Sequence, residues 1–283
     1  MELVEQQLEV KPNSNKTTWS DAIAVHEWQA GYDDETVVLI HPVGGDVEAY
    51  RELAAKLPDT AQILVITDPH HSNPDLTEIS LKERARVYAD ALIKNLAKQR
   101  VHLIGWSFGA WVAHEIALYL HDKSGISGQL TLIDPPAPNS SADLQQLSEH
   151  EIEQIFLKEL SEKWGADNVQ SSEESMRGEQ HEYRAALVRC TSSNIKAMVN
   201  HQMRPVPSWK ANVILASETA EGLNENQNTS ANNRISWLEV LPNLQNWKVI
   251  EADHYSIMRG EALDDVLSIM DLLDTRELIR MEG

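Results

Sequence analysis

The sequence predicts an α/β fold, a largely parallel sheet with helices on both faces, and three observations carry that expectation. Short apolar runs recur along the chain, amphipathic stretches of helical period separate them, and one long stretch is helical with no strand in it. Runs apolar on both faces suit strands covered by helices on two sides. Strand and helix in alternation specify parallel pairing. The chain has 283 residues, 42% of them hydrophobic, enough apolar material for one large core.

Residues 1–35 are expected to form an N-terminal extension, polar through "KPNSNKTTWS", together with a first strand. The first part of the core follows over 36–134. Its strands are "TVVLIH" (36–41), "QILVIT" (62–67), "VHLI" (101–104) and "LTLI" (130–133). Between them, "VEAYRELAAKL" (47–57) sets Tyr50, Leu53, Ala54 and Leu57 on one helical stripe. "LKERARVYADALIKNLAKQ" (81–99) does the same through Ala85, Tyr88, Ala89, Leu92 and Leu96, and "AWVAHEIALYLHD" (110–122) follows. Residues 135–209 hold no strand pattern, only helical segments at 143–160 and 181–203, and are expected to be a helical lid inserted over one end of the sheet. The second part of the core, 210–283, brings strands at "NVILA" (212–216) and "WKVI" (247–250) and a last helix at 262–274. The Asn-rich stretch 218–234 between them is expected to be a mobile loop.

Composition excludes several functions. The formal net charge is −20, from 44 acidic and 24 basic residues. Nucleic-acid binding rests on cationic side chains neutralising phosphates, so this balance argues against it and against an anionic membrane surface. No run of about 18 apolar residues could span a bilayer. The start "MELVEQQLEV" carries acids where a signal peptide needs a basic start and an apolar middle. Cys190 is the single cysteine, which excludes an internal disulfide framework or a Cys-based metal site. It is expected to be buried and inert. These features together predict a soluble cytoplasmic protein.

Chemistry enters at "VHLIGWSFGAW" (101–111), where Gly105-Trp106-Ser107-Phe108-Gly109 follows a strand and opens a helix. That is the context of the G-x-S-x-G nucleophile elbow. Glycines permit the sharp turn that lifts a serine hydroxyl above the sheet, and the helix start aims free N–H groups at a developing oxyanion. A serine hydroxyl needs a base, and such serine chemistry needs no metal and no cofactor of its own. Of eleven histidines, His254 in "EADHYSIM" lies on a loop leaving a late strand, where the order Ser…Asp/Glu…His puts the base. His70, His71, His121 and His150 sit on polar stretches and are expected to be solvated. His102 and His114 fall within a strand and a helix, and His41 ends a strand beside "HPVGGD" (41–46). Asp134, after "LTLI", and Glu218, after "NVILAS", both end strands, and spacing leaves the acid open between them. For the oxyanion, the amides of Phe108 and Val43 are the candidate donors, Gly44 and Gly45 letting the Val43 loop approach closely.

The blocks "LIHPVGGDVEAYRELAAKL", "VHLIGWSFGAWVAHEIA", "LTLIDPPAP" and "ADHYSIM" together resemble, in order and spacing, the thioesterase domains of nonribosomal peptide and polyketide synthases. The resemblance covers most of 36–134 and 247–258; the insertion matches that family's variable lid in position and helical character alone. It implies an α/β-hydrolase fold and Asp134 as the acid, because in this family the aspartate follows the strand after the nucleophile helix. One departure is Ala252, where the family often has glycine before the Asp-His pair; alanine fits if φ is negative. Asp253, next to the base, is read as bracing the loop. The implied activity is acyl transfer from the phosphopantetheine arm of an acyl or peptidyl carrier protein to Ser107, then release by water or by ring closure.

Tyr183 to Ser217 holds no acid but Arg184, Arg189, Lys196, Arg204 and Lys210. Carrier proteins and the pantetheine phosphate are anionic, so Arg184, Arg189, Lys196 and Arg204 are the candidate docking residues. Trp106, Met203 and Trp209 are candidates for lining an apolar acyl channel. A stand-alone editing thioesterase, a carboxylesterase acting on free esters and a non-catalytic hydrolase-fold binding protein are the alternatives.

Overall fold

The computed structural model describes residues 17–23, 25–32, 35–96, 100–138, 151, 178–199, 201–217 and 229–270. Its strands are β1 (Val25–Gln29), β2 (Glu35–Ile40), β3 (Gln62–Ile66), β4 (Arg100–Trp106), β5 (Gly128–Ile133), β6 (Lys210–Ala216) and β7 (Leu244–Ile250). They form one sheet in the order β1-β3-β2-β4-β5-β6-β7, with β1 antiparallel to β3 and every other pair parallel. The first strand expected within 1–35 is β1, an edge strand only partly buried. Its sequence, "VHEWQ", therefore shows no apolar run.

The helices are α1 (Trp19–Ala22), α2 (Arg51–Lys56), α3 (Leu81–Asn95), α4 (Phe108–Ser124), α5 (Gly178–Met198), α6 (Thr229–Val240) and α7 (Gly260–Met270), with single 3₁₀ turns at Glu48–Tyr50, Pro69–His71 and Ser256–Met258. Alternate strand residues divide the core. Val38, Ile40, Leu64, Leu103, Leu130 and Val213 pack with residues of α3 and α4, while Val37, Leu39, Val65, Ile104, Ile133 and Ile214 pack with residues of α2 and α7. That is the strand period of two, hidden in the sequence because both faces are buried. The expected helix at 143–160, apart from residue 151, and the tail beyond 270 lie outside the described residues.

One expectation needs correction. Residues 229–234, read with 218–228 as loop, begin α6. Trp237 and Val240, both buried, and Leu241 just beyond anchor that helix from its C-terminal half, so its opening "TSANNR" carries no apolar signal.

Candidate active site

Parallel strands bring the ends of β2, β4 and β5 to one edge, and three loops leave it there. At the end of β4 the chain turns sharply: Ser107 has φ 55° and ψ −127°, a conformation rarely tolerated by a residue with a side chain. Close packing enforces the turn. A Cβ on Gly105 would lie 2.2 Å from the Gly109 carbonyl oxygen, and one on Gly109 would lie 2.5 Å from that of Ile40. The two glycines let α4 begin directly against the ends of β4 and β2. Tyr50 pins the same junction, its hydroxyl donating to Ile40 O (2.8 Å) and accepting from the Trp106 amide (2.7 Å). The Ser107 amide donates to Ile133 O at 2.9 Å, tying the elbow to β5.

Asp134 follows Ile133 with φ 41°, the other non-glycine residue at positive φ among the described residues. Its Oδ1 accepts from the Ala216 amide (3.0 Å), and its Oδ2 accepts from His254 Nδ1 at 2.6 Å, a contact between residues 120 apart in sequence. Asp134 is 2% exposed, whereas the His254 side chain keeps 29% of its surface. The histidine therefore has its Nδ1 committed and a face toward solvent. Glu218, the other candidate acid, lies outside the described residues.

Trp106 braces this imidazole. Its indole N–H donates to the His254 carbonyl (3.1 Å), and its ring lies 5.0 Å from the His254 ring. Asp253 braces the loop itself: its carboxylate accepts from the amides of Tyr255 and Ser256 and from the Ser256 hydroxyl, which hold its pKa below the usual value. Ala252 has no positive φ, so the missing glycine imposes no strain.

Val43 stands on the loop after β2, and Phe108 follows Ser107 as the first residue of α4. Among the described residues, neither amide N–H meets an acceptor. Four successive carbonyls of the Val43 loop, by contrast, are held. Pro42 O accepts from the Gly45 amide (2.9 Å), Val43 O from Asn194 Nδ2 on α5 (2.8 Å), Gly44 O from His71 Nε2 (3.0 Å) and Gly45 O from the Asp68 amide (2.8 Å). Gly45, at φ 84°, leaves room for Cys190 of α5: a Cβ there would lie 2.8 Å from its sulfur. Burial pushes the Cys190 thiol well above its usual range, which keeps it inert.

Several expected roles are revised. Trp209 is fully buried and precedes Lys210, which pairs with Gln129 near the start of β5, at the opposite end of the sheet from Asp134. There it is packed in the core, away from the elbow. Met203 is half-buried against the core cluster that contains α4. Its neighbours His201 and Arg204 reach Glu115 and Asp122 of α4 (3.0 and 3.3 Å), so this segment runs along α4 away from Ser107. His70 is not solvated, and His71 is only half-exposed to solvent. His70, 4% exposed, meets Asp68 Oδ1 at 3.0 Å, and His71 holds Gly44. His121 meets the Ser208 hydroxyl at 2.8 Å, and His150 lies outside the described residues. Of the docking candidates, Lys196 pairs with Glu78 (2.8 Å), Arg204 with Asp122, and Arg189 reaches His70 O (3.5 Å). Arg184 is half-buried on α5. The acid-free segment thus faces acids of the core that its own sequence lacks.

Comparison with known proteins agrees with this architecture. The thioesterase domain family matches residues 35–272. The chain is 27% identical over 252 residues to the nonribosomal peptide synthetase imqB of Aspergillus flavus, a match covering 80% of this chain and 7% of that protein. Among solved structures, the NocB thioesterase domain from the nocardicin cluster superposes with a TM-score of 0.63 at 21% identity, covering 88% of this chain and 98% of that one. The Vlm2 thioesterase domain carrying 2,3-diaminopropionic acid with a bound dodecadepsipeptide gives a TM-score of 0.60 at 18% identity over 86% and 94%. No described helix is long and apolar enough to cross a membrane.

Proposed function

This chain belongs to the thioesterase domain family, and from that premise we propose that it releases an acyl or peptidyl chain held as a thioester on the phosphopantetheine arm of a carrier protein. The observation that carries the reading is the 2.6 Å contact between Asp134 and His254, built across 120 residues at the edge where Ser107 is held at φ 55°. Asp134 fixes the His254 tautomer with its proton on Nδ1, leaving Nε2 to act as base. Ser107 Oγ attacks the thioester carbonyl as its proton passes to Nε2. The tetrahedral oxyanion is stabilised by the Val43 and Phe108 amides, and helix α4 adds its positive end. Collapse breaks the C–S bond, the pantetheine sulfur takes the proton from His254, and the acyl group stays on Ser107. Water, or a nucleophile within the chain itself, then attacks with His254 as base and frees the serine.

The insertion 135–209 serves in this reading as a lid, with α5 supported by its contacts to the Val43 loop. Carrier docking on Arg184, Arg189, Lys196 and Arg204 would have to compete with the intramolecular acids at Lys196 and Arg204. The chain spans 7% of the imqB protein, so carrier, substrate and mode of release are proposals.

Intact-protein mass spectrometry after mixing with an acyl-N-acetylcysteamine thioester, beside Ser107→Ala, tests the reading. The expected result is an acyl adduct on the wild type and none on the variant. Failure of both small thioesters and carrier-loaded chains would overturn it, and faster turnover of oxygen esters than of matched thioesters would select the carboxylesterase.

A further inference from the structure

We propose that His41 is a positioning residue that aims and strengthens the Val43 amide as an oxyanion donor, acting through the Pro42 carbonyl. The inference rests on the functional reading above and adds a residue that reading leaves unused. His41 ends β2 and is fully buried. Its Nδ1 lies 2.8 Å from Pro42 O, and its Nε2 lies 2.8 Å from the Tyr88 hydroxyl. A carbonyl oxygen can only accept, so Nδ1 carries the proton and donates, and Nε2 accepts from the Tyr88 O–H. Burial holds the ring neutral, its pKa lowered to about 4, so the second nitrogen stays an acceptor at neutral pH.

Pro42 O and the Val43 N–H belong to one peptide plane, and no cis peptide bond occurs among the described residues. In a trans plane the carbonyl and the N–H point opposite ways. Fixing the Pro42 oxygen from behind therefore fixes the direction of the Val43 hydrogen in front. Pro42 O is gripped twice, by His41 Nδ1 and by the Gly45 amide (2.9 Å). Each bond accepted there polarises the amide and makes its N–H a better donor. The His41 ring also stacks on Phe108 (centroids 5.9 Å apart, planes 30° apart), the residue whose amide is the other candidate donor. One buried side chain thus touches both halves of the site that would receive the oxyanion. Its orientation is set by Tyr88, whose hydroxyl accepts in turn from Arg84 at 3.5 Å.

Three replacements separate this role from plain packing. His41→Asn keeps an amide nitrogen where Nδ1 stands, His41→Gln places one near Nε2, and His41→Leu keeps bulk with no donor. The readout is the single-turnover rate of Ser107 acylation by an acyl-N-acetylcysteamine thioester, followed by mass spectrometry over a range of substrate concentrations. Removing one oxyanion donor costs about 10²–10³-fold, so His41→Leu is expected to slow acylation by about 10–100-fold, with half-saturation changed less than about threefold. His41→Asn should recover most of that loss and His41→Gln little of it. Acylation by His41→Leu at the wild-type rate, or equal rescue by Asn and Gln, overturns the inference and leaves the functional reading standing. A wild type that never acylates Ser107 overturns both. If the variants do not fold, the imidazole ¹⁵N shifts of the wild-type chain decide. A proton on Nδ1 of His41 supports the inference, and one on Nε2 overturns it.

Discussion

Beyond the end of β5, Asp134 holds His254; beyond the end of β3, Asp68 holds His70. Both contacts join a carboxylate to an imidazole Nδ1, at 2.6 and 3.0 Å. Their surroundings differ. Asp68 is buried, which by itself would raise its pKa, but the Arg84 guanidinium at 2.8 Å and the His70 bond hold it well below the carboxylate range. Trp19 closes over this group, its ring 5.0 Å from that of His70 and 4.6 Å from the Arg84 guanidinium. The Arg84 NH2 also donates to Ser193 on α5 (3.1 Å). Every charge there is answered within the protein, and the cluster ties α1, α3 and α5 together. At Asp134 the carboxylate also accepts from a backbone amide, that of Ala216, and His254 keeps nearly a third of its side-chain surface. A carboxylate–histidine pair becomes machinery when the imidazole has somewhere left to put a proton; closed on all sides, it becomes structure.

The largest expected effect breaks the pair suited to chemistry. Asp134→Asn should lower kcat by about 10⁴-fold, the order expected when the acid no longer holds the productive tautomer, with little loss of fold in a thermal unfolding scan. Arg84→Met tests the other pair. It leaves the Asp68 charge buried without its counter-ion and should cost about 3–5 kcal/mol in chemical denaturation, while a folded population loses far less acylation rate than Asp134→Asn does. An Arg84→Met chain as stable as the wild type would erase the distinction drawn between the two clusters.

Acid sharpens the comparison next. Burial lowers His41 to about 4 and His102 to about 3, so both stay neutral in the folded state well below the pH at which an unfolded histidine takes its proton. Their stabilisation is complete above about pH 6.5 and is lost as pH falls toward 4, on the order of 3 kcal/mol for His41 alone. Asp68, also depressed, keeps its contribution above about pH 4 and loses it only in stronger acid. Urea unfolding between pH 7 and 4 should show stability falling with acid, and His102→Val should remove about one proton from that slope. The smallest effect is at the surface. Lys196→Ala breaks a pair with Glu78 whose side chains are each about half exposed, and should change stability by less than about 1 kcal/mol. A larger loss would mean that α5 is held by its surface charges rather than by its buried contacts.

Legibility in the sequence followed the range of the interaction. The run Gly105–Gly109 could be read because the elbow's demand is local: small residues on both sides of a strained serine. Five of the six apolar runs are legible as strands because both sheet faces are covered there; β7, at one edge and only partly buried, still carries a short apolar run, whereas β1, exposed at the other edge, carries none. Polar neighbours misled at His70 and His71: Trp19 closes over His70, and His71 is tied to the Val43 loop through Gly44 O, contacts that lie far from them in the chain.

The sequence by itself determined the order of strands and helices, the serine at its elbow and the histidine on a late loop, since each is written in consecutive residues. Tertiary structure decided that Asp134 reaches His254. It also set Trp106 as the brace of that histidine and His41 behind the Val43 loop, and it placed Trp209 at the far end of the sheet. Those outcomes depend on which strand ends share an edge and on what surrounds each side chain, and neither is fixed until parallel strands distant in sequence pair in register.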